Sequence, residues 1–196
     1  MTSPQKLAHF VLATHRFEEL IQWYTTLLDA KVRFNNGVLA FLSYDDEHHR
    51  LALANQVALG EPPRDAPNGT LEHVAFTYAS LGDLLENYAR VKPLGFKPYW
   101  CINHGITMSM YFGDPEGNQV EFQVDVFDDP EEANGFLMGP LFERNPIGVE
   151  YDPDEMLAKY RAGVPVETLM AFDPDVPAGP IRHSPERGRA ATSMPG

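Results

Sequence analysis

The 196-residue sequence predicts an α+β protein built from two tandem βαβββ modules forming a cup-shaped mixed sheet, with a short helical C-terminal extension. Three observations predict it. The segment LAHFVLATHRFEELIQWYTTLL from Leu7 recurs as LEHVAFTYASLGDLLENYARVK from Leu71, an offset of 64 residues. Each copy opens with a short apolar run around a histidine, followed by apolar residues at helical spacing. Three short β-prone runs separated by turn residues then complete each unit.

The repeat aligns His9 with His73, Phe17 with Leu81, Leu20 with Leu84, Ile21 with Leu85, Tyr24 with Tyr88 and Leu27 with Val91. In the first module (1–60), runs at Lys31–Phe34, Val38–Tyr44 and Arg50–Ala54 read as strands, broken by Asn35-Asn36-Gly37 and Asp45-Asp46-Glu47. The stretch 61–70, rich in Pro, Gly and Asp, reads as a linker. The second module (71–126) continues with Lys97–Ile102, Thr107–Phe112 and Gln119–Val124, and Asp114-Pro115-Glu116-Gly117-Asn118 supplies the last hairpin turn. One such unit leaves a sheet face uncovered, so two related units are expected to pack together and leave a cup lined by both.

In the extension (127–172), Pro130–Leu137 and Pro153–Arg161 read as short helices, and the loop Asn145-Pro146-Ile147-Gly148 between them is expected to cover the cup. The tail (173–196) turns to Pro, Gly, Arg and Ser without periodicity and is assigned no chemistry.

A net charge of −13, with no Lys/Arg-rich run, argues against a nucleic-acid or anionic-membrane partner and for a small neutral or weakly acidic substrate. The single cysteine, Cys101, excludes an internal disulfide and a Cys-rich zinc site. Without an export signal or a membrane-length apolar run, the expected location is the cytoplasm, and a homo-oligomer is the expected assembly.

Strand parity puts His9 on one face with Val11 and Ala13, and His73 with Ala75 and Thr77, while Phe10, Leu12, Val74 and Phe76 take the other. In the final strand Glu121 shares the polar face with Gln119 and Gln123. A single strand histidine is usually a packed or solvated residue. Two at equivalent positions of a duplicated unit, facing one cup with a carboxylate, are expected to form a metal-ligand set. Two imidazoles and one carboxylate leave open positions on the ion, which suits iron(II) chemistry with oxygen, with manganese and zinc as alternatives.

The segments Leu7-Ala8-His9, Glu72-His73-Val74-Ala75-Phe76, His48-His49-Arg50-Leu51 and His104-Gly105 through Tyr111-Phe112-Gly113-Asp114-Pro115-Glu116-Gly117-Asn118-Gln119-Val120-Glu121 resemble the vicinal oxygen chelate superfamily. Within it they resemble the short form of the type I extradiol ring-cleavage dioxygenases. The resemblance implies Fe(II), or alternatively Mn(II), held by His9, His73 and Glu121. It implies that His49, His104 and Tyr111 act on substrate and oxygen, with His49 moving the substrate proton and His104 and Tyr111 donating toward a catecholate oxygen. The implied reaction opens a catechol ring with O2, the diol being simple, substituted or biaryl. Among Trp23, Phe41, Tyr99, Trp100 and Phe142, some are candidates to wall the substrate pocket, with core packing the alternative. His48 reads as the solvent-facing member of its pair, and His15 and His183 have no matching context.

Three other classes share the fold. A glyoxalase-type isomerase takes a ligand from the end of both modules, but Val57 stands opposite Glu121 at the repeat offset. A fosfomycin-resistance-type thiol transferase, with manganese, calls for a basic pocket that this acidic chain does not suggest. A non-catalytic ligand-binding protein would keep its ligand without His9.

Overall fold

The computed structural model describes residues 7–61, 72–178, 180–183 and 185. Leu71, most of the expected linker and the last part of the tail lie outside the described residues. The chain divides into two compact units. The first is built on the described residues up to Glu61 together with Asp114–Gly117, and the second on the rest from Glu72.

The first unit runs β1 (Phe10–Thr14), α1 (Phe17–Leu27), β2 (Lys31–Asn35), β3 (Leu39–Ser43), β4 (Leu51–Asn55) and a single turn α2 (Gln56–Leu59). Its sheet has the order β1-β4-β3-β2, with β1 parallel to β4 and the other pairs antiparallel. Helix α1 buries Phe17, Leu20, Ile21, Tyr24 and Leu27, the stripe that the spacing predicts. Asn36 makes the β2–β3 turn, its Oδ1 accepting from the amides of Val38 and Leu39. The connector Asp114–Gly117 groups with this unit because Tyr24 donates to Asp114 at 3.1 Å and the His15 amide donates to Glu116 at 2.9 Å.

The second unit repeats the plan: β5 (Val74–Thr77), α3 (Leu81–Val91), β6 (Trp100–Asn103), β7 (Thr107–Gly113) and β8 (Gln119–Asp125). Helix α3 starts at Ser80, whose hydroxyl accepts from the Asp83 amide, and buries Leu81, Leu84, Leu85, Tyr88 and Val91. Strand β5 lies parallel to β8, and β7 pairs antiparallel with both β8 and β6. Cys101 is buried on β6, where burial, then nearby Asp152, Glu150 and Asp154, push its thiol well above the ordinary range.

The extension is helical as expected at α4 (Pro130–Leu137) and α6 (Pro153–Arg161), with shorter turns α5 (Pro140–Arg144) and α7 (Val166–Leu169). It also supplies an unexpected strand, β9 (Val149–Glu150), which pairs with β6 and completes the order β5-β8-β7-β6-β9. The cause is local: Asn145 and Gly148 reverse the chain beside Asn103, and the edge of β6 offers backbone groups that need partners.

Candidate metal and substrate site

The second unit brings two of the expected ligands into contact. Parallel pairing sets Ala75 of β5 opposite Glu121 of β8, and His73 lies two residues ahead of Ala75, on the same side by strand parity. His73 Nε2 lies 3.0 Å from Glu121 Oε2. Two donors each about 2.1 Å from one ion and at right angles to each other sit about 3 Å apart, so this pair fits adjacent corners of a coordination sphere. Glu121 is 5% exposed and His73 37%, so the carboxylate is anchored while the imidazole meets solvent.

The electrostatics of the pair agree in sign. Burial pushes the Glu121 carboxyl up, but hydrogen bonds from His73, Ser109 and Tyr111 outweigh it and hold the group below the usual carboxylate range. The hydrogen bond to Glu121 in turn raises the His73 imidazole, against its partial burial.

Tyr111 stands opposite Glu121 on β7, and its phenol is pushed up by burial and then by that carboxylate, so it stays protonated. Its hydroxyl lies 3.1 Å from His104 Nε2. On the far side of that ring, Nδ1 is 2.5 Å from the Ile147 carbonyl oxygen. Burial holds the His104 imidazole below its ordinary value. His73, His104 and Tyr111 line a pocket of about 180 Å³, with Tyr99, Trp100, Pro146, Ile147 and Ile181 as its apolar walls and Glu72, Gln119 and Arg182 at its polar edge. Trp100, Ile102 and Tyr111 form a packed cluster, with Tyr99 and Ile147 against it.

The first unit carries the other candidates. His9 is exposed, and its ring centroid lies 4.2 Å from that of His49 and 6.4 Å from that of His48. His49 stacks on Phe41 at 4.5 Å and 14°. Partial burial, then His9 and His48, depress the His49 imidazole, which therefore stands neutral near pH 7. On β1, Val11 and Ala13 are exposed while Phe10 and Leu12 are partly covered, so the parity read from the sequence holds. Among the described residues, no group of three or more His, Cys, Asp or Glu side chains is assembled to hold a metal. The structure thus joins His73 to Glu121, and His9 to His49.

Of the aromatic wall candidates, Tyr99 and Trp100 line the pocket. Phe142 packs on Phe136, Trp23 on Tyr24 and Phe41 on Phe34. The loop expected to act as a cover contributes Pro146 and Ile147 to the pocket. Ile181 and Arg182 were not foreseen, because their stretch has no periodicity to mark it. Arg182 is held bidentate by Glu150 at 2.5 and 3.0 Å, and His183 lies 3.3 Å from Glu72.

Each unit thus pairs its first strand parallel to its fourth, around one helix. The sequence matches the Glyoxalase/Bleomycin resistance protein/Dioxygenase superfamily over residues 6–122, and the chain belongs to it. It is 41% identical over 183 residues to biphenyl-2,3-diol 1,2-dioxygenase 2 of Rhodococcus globerulus, covering 90% of this chain and 96% of that one. It is 40% identical over 169 residues to biphenyl-2,3-diol 1,2-dioxygenase 3 of the same organism, covering 86% and 89%. Among solved structures, lactoylglutathione lyase from Agrobacterium tumefaciens shares the fold, with a TM-score of 0.51 at 17% identity over 63% of this chain and 96% of that one. Among the described residues no helix is long and apolar enough to cross a membrane.

Proposed function

We propose that the protein is an extradiol dioxygenase that opens the ring of a catechol with O2, using one iron(II) held by His9, His73 and Glu121. The observation that carries this reading is the pairing of His73 with Glu121 beside a pocket that His73, Tyr111 and His104 line. Its volume of about 180 Å³ compares with the roughly 150 Å³ of a cavity that accepts benzene. One aromatic ring fits that scale, and Trp100 and Tyr99 supply faces on which it can pack. The identity to two biphenyl-2,3-diol dioxygenases makes 2,3-dihydroxybiphenyl the first substrate to test.

Bound iron(II) would supply the redox couple through which electrons leave the diol for O2. The protein handles the protons. Neutral His49 accepts one from a diol hydroxyl and returns it to the product, so both atoms of O2 enter a semialdehyde-type ring-opened acid or ketone with no net proton gained or lost. Tyr111, kept protonated, donates to negative charge at the substrate oxygen. Arg182 is the only Lys or Arg among the described lining residues, and Glu150 neutralises it. A pocket of this kind suits a neutral diol better than the anionic substrate of a thiol transferase. The single buried cysteine accords with a reducing cytoplasm.

The test is anaerobic loading with iron(II) or manganese(II), then air and a panel of catechol, 3-methylcatechol and 2,3-dihydroxybiphenyl. Yellow product with matching oxygen uptake, lost in His9→Ala, is expected with iron. Activity surviving in His9→Ala, or silence across the panel at stoichiometric metal, would overturn the reading.

A further inference from the structure

One tie between the extension and the site runs through the His104 ring. Asn145 is 2% exposed, and its Oδ1 accepts from the Gly148 amide at 2.8 Å while its Nδ2 donates to the Gly148 carbonyl at 3.2 Å and to that of Val176 at 3.3 Å. Gly148, at φ +118°, presses against β6: an added Cβ would stand 2.3 Å from the Asn103 carbonyl oxygen and 3.0 Å from the His104 Cα. Only glycine permits both this backbone and this approach. The result sets the Ile147 carbonyl 2.5 Å from His104 Nδ1.

A carbonyl oxygen can only accept, so in the neutral imidazole the hydrogen sits on Nδ1 and Nε2 is left as a bare acceptor. The geometry points to a new assignment: the Asn145–Gly148 loop is a positioning device that holds His104 as its Nδ1–H tautomer, presenting Nε2 to the pocket as the acceptor for a substrate hydroxyl. This reverses the donor role that family resemblance implies for His104. Tyr111 has one proton and two acceptors to choose between, Glu121 and His104. When that proton turns away from His104, to Glu121 or to the charged substrate oxygen, Nε2 is open to the ligand.

The identity of the hydroxyl rests on the diol reading above; the tautomer does not. A diol brings two protons, and His49 takes one. The hydroxyl that keeps its proton loses water partners on binding and needs an acceptor, and Nε2 is that acceptor. Asn145 is then a positioning residue, acting through Ile147 and His104 without touching substrate.

The test is a long-range proton–nitrogen correlation spectrum of histidine-labelled full-length protein, metal-free and with zinc(II) as a diamagnetic probe, the His104 signal being assigned by its loss in His104→Gln. Nδ1–H with bare Nε2 is expected, and an Nε2–H signal overturns the assignment. Asn145→Ala is expected to lose the Nδ1–H signature and to lower kcat roughly 10–100-fold with KM little changed. A wild-type spectrum and wild-type kcat in that variant overturn the loop's role. Should Asn145→Ala not fold, Gly148→Ala replaces it, and the wild-type spectrum decides the tautomer in either case. An Nδ1–H signal in a protein inert toward every diol sinks the dioxygenase reading and leaves the positioning device standing.

Discussion

At the scale of single residues, the site turns on a carboxylate that is buried yet charged. Three hydrogen bonds hold Glu121 ionised despite its burial, so Glu121→Gln keeps shape and most partners while removing the charge that attracts a cation. We expect metal affinity to fall by about 100-fold or more while stability changes by less than about 2 kcal/mol. Titration with iron(II) under anaerobic conditions and thermal unfolding measure the two, and unchanged affinity would remove Glu121 from the ligand set. The contact of His73 with Glu121 could be anticipated because the repeat marks His73 and the period of two puts Glu121 on the polar face of the final strand. The tautomer of His104 was not legible, since it depends on a backbone carbonyl 43 residues further along the chain.

At the scale of elements, α6 is docked on α3 by polar contacts around a close approach. Tyr88 donates to Asp154 at 2.9 Å, Lys92 pairs with the same carboxylate, and Arg161 grips Glu86 at 3.0 and 2.6 Å. Lys92 and then Tyr88 hold Asp154 below its ordinary 3.8, and Arg161 holds Glu86 below its ordinary 4.5. Carboxyls depressed by folding contribute stability that is present above those values and lost as pH falls through the folded ones. Amide exchange over residues 153–161, referenced to the free peptide, is therefore expected to quicken as pH falls below about 5 and on through the depressed folded values, ahead of β7 and β8. Equal protection of α6 and the central strands at the acid end would contradict this. Helices α1 and α3 could be read from their buried stripes, and α4 and α6 from a Pro following a capping Asp. Strand β9, two residues long, has no period to read; its existence is dictated by the open edge of β6.

At the scale of the whole molecule, chain distant in sequence finishes the pocket. Ile181 forms wall and Arg182 pins it by pairing with Glu150, in a stretch that sequence patterning left blank. A chain ending at Ala178 is expected to raise KM for an aryl-substituted catechol several-fold with kcat nearly intact, since a wall contact aids ground state and transition state alike. Steady-state kinetics with 2,3-dihydroxybiphenyl and plain catechol decide it; an equal rise for both, or none, would show that Ile181 does not touch the substituent.

An enzyme that handles oxygen is exposed to its own oxidant, and the lone thiol of Cys101 lies buried with its ionisation suppressed. Such a sulfur is a poor target for the first step of thiol oxidation. Ageing in air should therefore be a fault of the metal and not of the protein. Activity lost on storage is expected to return with fresh iron(II) and ascorbate and to ignore dithiothreitol, and mass spectrometry of the aged chain should find Cys101 still a thiol. That outcome would let the protein be kept metal-free in air and charged when it is needed.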